Sequence, residues 1–148
     1  MAGITVAIAC DHAGFNLKSL LQDDLEAAGY TVLDLGTNGP ESVDYPDFGY
    51  ACGKAIADGK AELGVLVCGS GIGISIAANR NPAVRAAVVT NALTAKLARQ
   101  HNDANVVCFG ERLIGTEVAR DAMKAFLHTP FEGGRHARRV DKLTNPQI

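Results

Sequence analysis

The sequence has 148 residues, of which 47% are apolar and 20% charged, a length that fits one domain and a composition that excludes intrinsic disorder. Fourteen Lys and Arg against sixteen Asp and Glu leave a net charge of -2, which argues against a general nucleic-acid or polyanion binder, since such proteins need a positive field to displace counterions. No apolar run approaches the ~20 residues of a bilayer span. The start, Met1-Ala2-Gly3-Ile4-Thr5, lacks the order of a signal peptide (basic, then apolar, then small residues), and a cytoplasmic protein without a membrane or nucleic-acid partner is expected.

In chain order, Thr5-Val6-Ala7-Ile8-Ala9-Cys10 is an apolar, partly β-branched run that ends in polar Asp11-His12 and reads as a buried strand followed by a turn. Leu17, Leu20, Leu21, Leu25 and Ala28 then recur at helical spacing until Gly29. The unit repeats, with a strand over 31–35 and a helix over 50–57, then a strand over 63–68 and a helix over 72–79. A strand over 86–90 leads to an Asn91-capped helix to residue 100, and a strand over 106–109 to a helix over 116–127. A short sixth helix is expected over 135–143, and residues 36–46 form the longest irregular piece. Five strands alternating with five helices, the strands nearly continuous in apolar residues, predict a five-stranded parallel sheet in a three-layer α/β/α sandwich of Rossmann-like type, with an extra C-terminal helix.

In such sheets ligands bind beyond the carboxyl ends of the strands, where the strand order reverses. Asp11 and His12 follow the first strand. The third ends in Cys68 and runs into Gly69-Ser70-Gly71-Ile72-Gly73. Alternating glycines at a strand-to-helix turn let backbone N–H groups converge on an anion at a helix start, although a tight turn alone would also use them. The stretch is not a dinucleotide fingerprint, because position 74 is Ile, and it lacks the Gly-Lys-Ser/Thr of a P-loop. Cys68 sits on the first step of that nest, where a thiolate is a competent base or nucleophile, while Cys10, Cys52 and Cys108 read as small buried hydrophobes. Ser70 beside it can pass a proton or bond an oxygen, or merely shape the turn. His12 and His101 are candidate acid-base groups, since imidazole is the side chain most used for that chemistry, although a lone surface His is usually inert. His101-Asn102-Asp103 precedes the fifth strand and so lies at a strand's amino end, which suggests that it serves a neighbouring subunit. Arg135 and Arg139 share one helix face and, with Arg112, suit a phosphate, although a solvated basic helix end looks the same in sequence.

Five segments in order, Cys10-Asp11-His12-Ala13-Gly14-Phe15, Asp44-Tyr45-Pro46, Cys68 to Asn79, Arg99 to Asn105 and Glu132-Gly133-Gly134-Arg135-His136, resemble the motifs of the B-type ribose-5-phosphate isomerases, from about residue 4 to residue 143. The resemblance implies one sugar-phosphate isomerase domain over 1–148 and an intramolecular oxidoreductase of the pentose phosphate pathway. Such an enzyme interconverts ribose 5-phosphate and ribulose 5-phosphate through a cis-enediol(ate), without metal or coenzyme. It implies that His101 helps open the furanose ring with Asp11 nearby, that Cys68 moves the C2 proton to C1, and that Ser70 assists transfer between the oxygens. Amides of Gly69, Gly71, Ile72 and Gly73 would stabilise the intermediate. Asp11, His12 and Asn102 would bind the sugar or phosphate end, and Arg112, Arg135, Arg139 and His136 the phosphate. A homodimer, in some relatives a tetramer, with each site built from two chains, is implied as well. Ser70 stands where many relatives carry Thr, which keeps the hydroxyl, and Cys68 places the chain with the thiol-base branch. The alternatives are a hexose-6-phosphate isomerase of allose or galactose type, and a non-catalytic sugar-phosphate sensor.

Overall fold

The computed structural model describes residues 3–148. Met1 and Ala2, the first residues of the start read above as leader-free, lie outside the described residues. The strands are β1 (Thr5–Cys10), β2 (Thr31–Asp34), β3 (Leu63–Cys68), β4 (Ala86–Val88) and β5 (Val106–Gly110). The helices are α1 (Phe15–Ala27), α2 (Tyr45–Ala57), α3 (Ile72–Ala78), α4 (Ala92–Asn102), α5 (Thr116–His128) and α6 (Arg135–Thr144). One turn of 3-10 helix, His12–Gly14, precedes α1. All strand pairs are parallel, in the order β2-β1-β3-β5-β4, so the expected α/β/α sandwich forms.

The step from strand to strand decides which face each helix takes. From β1 to β2 and from β4 to β5 the chain steps one way along the sheet; from β2 to β3 and β3 to β4 it steps the other way. Right-handed crossovers then put α1 and α4 on one face and α2 and α3 on the opposite one. The core divides accordingly. Leu17, Leu21 and Leu25 of α1, Ala98 of α4 and Phe126 of α5 pack on Ile8, Val65 and Phe109, whereas Cys52 of α2 and Ile74 of α3 pack on Ala7, Leu66 and Cys108. Neighbouring residues of each strand thus serve opposite layers, as the two-residue period of a strand requires. On the α2 side the strands use small residues: a Cβ at Gly64 would stand 2.6 Å from the Cys52 sulfur.

Element boundaries shift by more than one residue in three places. α2 begins at Tyr45 rather than at residue 50, because Pro46 occupies the first helical turn, where its fixed φ fits and its missing N–H is no loss. β4 is shorter than the apolar run that marks it. α4 continues to Asn102, and Asp103 ends it at a left-handed φ of 47°, so His101 and Asn102 ride on the last helical turn.

Candidate active site

The carboxyl ends of β1 and β3 are adjacent and mark the place where the strand order first reverses. An open cavity of about 630 Å³ lies there. Asp11, His12, Cys68, Ser70 and Arg112 all line it, with Gly69, Ile72 and Gly73 in its floor. Asp11 and Cys68, far apart in sequence, meet because β1 and β3 pair directly, Cys10 opposite Val67.

Each polar group is held by its own loop. Asp11 is buried, and its Oδ1 accepts the N–H groups of Ala13 and Gly14 at 3.0 and 3.2 Å, which caps the 3-10 turn. Gly14 has no room for a side chain, since a Cβ would lie 2.6 Å from the carbonyl oxygen of Val67. His12 Nδ1 accepts the N–H of Val43 at 3.2 Å, an arrangement that leaves Nε2 to carry the ring proton.

The glycine-rich turn does something more specific than the anion nest expected of it. The Gly71 N–H donates to the Cys68 sulfur at 3.1 Å, and the Ile72 N–H donates to Ser70 Oγ at 3.1 Å. Two of the amides assigned to a bound anion therefore hold the thiol and the hydroxyl instead. Gly71 has to be glycine twice over: its φ is 79°, and a Cβ would stand 2.9 Å from the carbonyl carbon of Phe109. Arg112 is fixed over the turn by its N–H to the Gly69 carbonyl at 3.1 Å, and its guanidinium is 3.2 Å from where a Gly69 Cβ would be.

The other expected site residues gather elsewhere. His101 and His136 stack with ring centroids 4.4 Å apart. Glu132 is tied to the end of α4 by its N–H to the Gln100 carbonyl, 3.1 Å. Burial first, then the charge of Arg135, pushes the His136 imidazole below its ordinary range, with Glu132 acting against them. Arg135 and Arg139 lie on α6, and Asn102 lines a different depression beside Ala86 and Leu143. None of these five residues lines the Cys68 cavity. Within one chain the structure thus assembles Asp11, His12, Cys68, Ser70 and Arg112, and keeps His101, Asn102, Arg135, His136 and Arg139 apart from them.

The ribose/galactose isomerase family profile matches residues 6–143. The chain belongs to this family. It is 44% identical over 139 residues to ribose-5-phosphate isomerase B of Escherichia coli, covering 94% of this chain and 93% of that protein. A probable ribose-5-phosphate isomerase B of Mycoplasma pneumoniae is 41% identical, with 93% and 91% covered. Among solved structures, the type B ribose 5-phosphate isomerase of Trypanosoma brucei superposes with a TM-score of 0.94 at 44% identity, covering 99% of this chain and 100% of that one. Ribose-5-phosphate isomerase B of Clostridium thermocellum superposes with a TM-score of 0.94 at 48% identity, covering 95% of each.

In this family member, four residues that the sequence did not assign to the site belong to its walls, Ala13 among them. Tyr45 and Ile76 line the cavity with Leu113, and a Cβ on Gly73 would meet the Tyr45 ring at 2.5 Å. The Asp44-Tyr45-Pro46 motif was the available signal for Tyr45. Lys18 had no such signal: it is 1% exposed, bonds Asp34 at 2.6 Å and reaches the Thr37 carbonyl and Asn38 Oδ1 at 3.3 and 3.0 Å. It thereby pins the loop that follows β2 beside the site.

Proposed function

We propose that the chain interconverts D-ribose 5-phosphate and D-ribulose 5-phosphate, with Cys68 as the base. The observation that carries this reading is the convergence of Cys68, Ser70, Asp11, His12 and Arg112 on one cavity at the switch point, with the sulfur held by a backbone N–H. Family membership and the activity named for the relatives supply the reaction. As a thiolate, Cys68 takes the C2 proton of the open-chain aldose. The electron pair moves into a C1–C2 double bond and the C1 oxygen becomes the enediolate oxygen. Ser70 passes the proton of the C2 hydroxyl towards the C1 oxygen, and Cys68 returns its proton to C1, which leaves the ketose. Preorganised donors facing the developing charge lower the barrier. Amides of Gly69 and Gly73 are the donors this turn offers, since those of Gly71 and Ile72 are spent on Cys68 and Ser70, and the Nε2–H of His12 joins them from the loop after β1. Arg112 and the amide-held loop bind the charged end, where binding energy holds the open chain for reaction.

Ring opening needs an acid-base group, and His101 is assigned that step from the neighbouring subunit. The Cys68 cavity is flanked by exposed apolar side chains, Ile72, Ile76 and Leu113, and α4 exposes Leu93. A second chain laid over them completes each site with His101, Asn102 and the phosphate-binding Arg135, His136 and Arg139 and covers apolar surface at the same time. We assign the whole of residues 1–148 to this one activity in a homodimer, with a tetramer as a pair of such dimers. A sugar phosphate is a charged molecule that does not cross a bilayer unaided, which supports the reading of an enzyme that works where its substrate is made, in the cytoplasm. No helix of the described residues is long and apolar enough to cross a membrane.

The test is turnover of ribose 5-phosphate by wild type beside Cys68→Ala, with allose 6-phosphate and galactose 6-phosphate in parallel. Wild type should convert the pentose, and the folded variant should lose roughly 10²–10⁴-fold in rate, the range for a lost general base. Preference for a hexose phosphate would move the substrate and keep the mechanism, and an unchanged variant would remove Cys68 from it.

A further inference from the structure

Outside the Cys68 cavity, His101, Glu132 and His136 present three metal-ligating atoms within 4.8 Å of one another. His136 is 6% exposed, and its Nε2 is buried with no hydrogen-bond partner among the described residues. A buried ring nitrogen left unpaired is costly unless something else occupies its lone pair or takes its proton. The Glu132 carboxylate oxygen Oε1 is 3.5 Å away, longer than a hydrogen bond of that kind. That separation fits a different contact. Two ligands each about 2.0–2.1 Å from a tetrahedral zinc ion stand roughly 3.4 Å apart. His101 is stacked on His136 with the rings 12° from parallel, so to reach the same point its ring has to turn out of the stack and its ligand atom has to close a gap of up to 4.8 Å to about 3.4 Å; the ring is half-buried on the end of α4.

The frame around the cluster is rigid where a site needs it. The Glu132 N–H bonds the Gln100 carbonyl at 3.1 Å, and the His136 N–H bonds the Gly133 carbonyl at 3.0 Å. Glu132 is therefore tied to the last turn of α4, and His136 to the turn at Gly133 that follows Glu132. Arg135 and Arg139 on the same helix repel a cation and Glu132 offsets part of that repulsion, so a hard ion bound by charge alone is disfavoured. Two imidazoles and one carboxylate instead select a borderline transition-metal ion, and three protein ligands leave a fourth position open.

We propose that His101, Glu132 and His136 form a binding site for a zinc-class divalent ion, and that loading it withdraws His101 from the isomerisation. The second half rests on the ring-opening role assigned to His101; the first half does not.

The experiment takes chelator-treated full-length protein and titrates Zn²⁺ calorimetrically into wild type, Glu132→Gln and His136→Asn, with Co²⁺ as a spectroscopic substitute. One ion per chain is expected, with affinity reduced by at least about tenfold in each variant. The Co²⁺ complex should show visible ligand-field bands without the near-ultraviolet thiolate charge-transfer band that a cysteine would give. Ribose 5-phosphate turnover should fall in proportion to occupancy and return on adding EDTA. Glu132 is half-exposed, so Glu132→Gln keeps the test decisive if His136→Asn does not fold. Absence of stoichiometric binding, affinity unchanged by Glu132→Gln, or a thiolate band would overturn the site. Stoichiometric binding with undiminished turnover would overturn the inhibition alone. A wild type with no isomerase activity would instead refute the proposed function, and the binding titration would still decide the site.

Discussion

Four cysteines share one chain and differ in what surrounds the sulfur. Burial pushes the Cys10 and Cys52 thiols up to about 12, in Cys10 against the opposing charge of Lys18, and Cys108 well above the usual thiol range, since a thiolate inside the core loses its solvation. Cys68 instead borders the open cavity and has the Gly71 N–H on its sulfur. Iodoacetamide should therefore label one thiol per folded chain, and peptide mass spectrometry should place it at Cys68, with ribose 5-phosphate slowing the reaction. Even at about pH 9, above the ordinary thiol value, Cys10 and Cys52 should stay unlabelled. Labelling of Cys52 at the rate of Cys68 would contradict the burial argument. Lys18 makes a second residue-scale case. Its ammonium is enclosed by Asp34 and the Thr37 carbonyl, and Lys18→Met takes the bond from that carbonyl and the cation from Asp34, whose Oδ1 keeps the Gly36 N–H at 2.9 Å. Asp34 remains partly in water, so the expected loss is about 2 kcal/mol rather than the ~3–5 of a fully buried pair. Chemical denaturation of the variant measures it, and turnover should also fall as the loop after β2 loosens.

At the scale of elements, α3 and α4 do different work. The turn into α3 sets the thiol, and Gly71→Ala forces a side chain into a left-handed backbone position and against Phe109. A stability loss of about 1–3 kcal/mol is expected from strain, together with a fall in kcat as the N–H leaves the sulfur. Helix α4 begins at Asn91, whose Oδ1 accepts the Thr94 N–H at 2.8 Å. Asn91→Ala should cost about 1 kcal/mol and leave kcat near wild type, because His101 sits three turns away at the other end. A thermal melt beside a turnover assay separates the two variants. The same helices show how local sequence is read and misread. The Asn91 cap was legible because an Asn before a helical run has one common use. The start of α2 was not, because Pro46 signals either a loop or a first helical turn, and only packing of the following helix on the sheet distinguishes them.

At the scale of the molecule, Cys68 and His101 lie in different parts of one chain, and the proposed site needs both. Two inactive variants, Cys68→Ala and His101→Asn, refolded together in equal amounts should therefore complement each other. Random pairing makes half of the dimers mixed, and each mixed dimer has one intact site of two, so about a quarter of wild-type activity should return. If activity stays at the level of the separate variants, the site is not shared in this way. The layer order, five parallel strands and the position of the glycine turn were legible in the sequence, because strand and helix periods and short crossovers restrict the topology to few choices. So were Cys68, Ser70, Asp11 and His12 as residues at strand ends.

The local chemistry is written along the chain: which side chains stand at the carboxyl ends of the strands, and where a glycine must let the chain turn. Tertiary structure alone decided how that chemistry is arranged. It spent the Gly71 and Ile72 amides on Cys68 and Ser70, buried Lys18 under a loop, and set His136 against His101 and Glu132. Those outcomes depend on distances between segments far apart in the chain, which periodicity does not encode and the packing of strands and helices does.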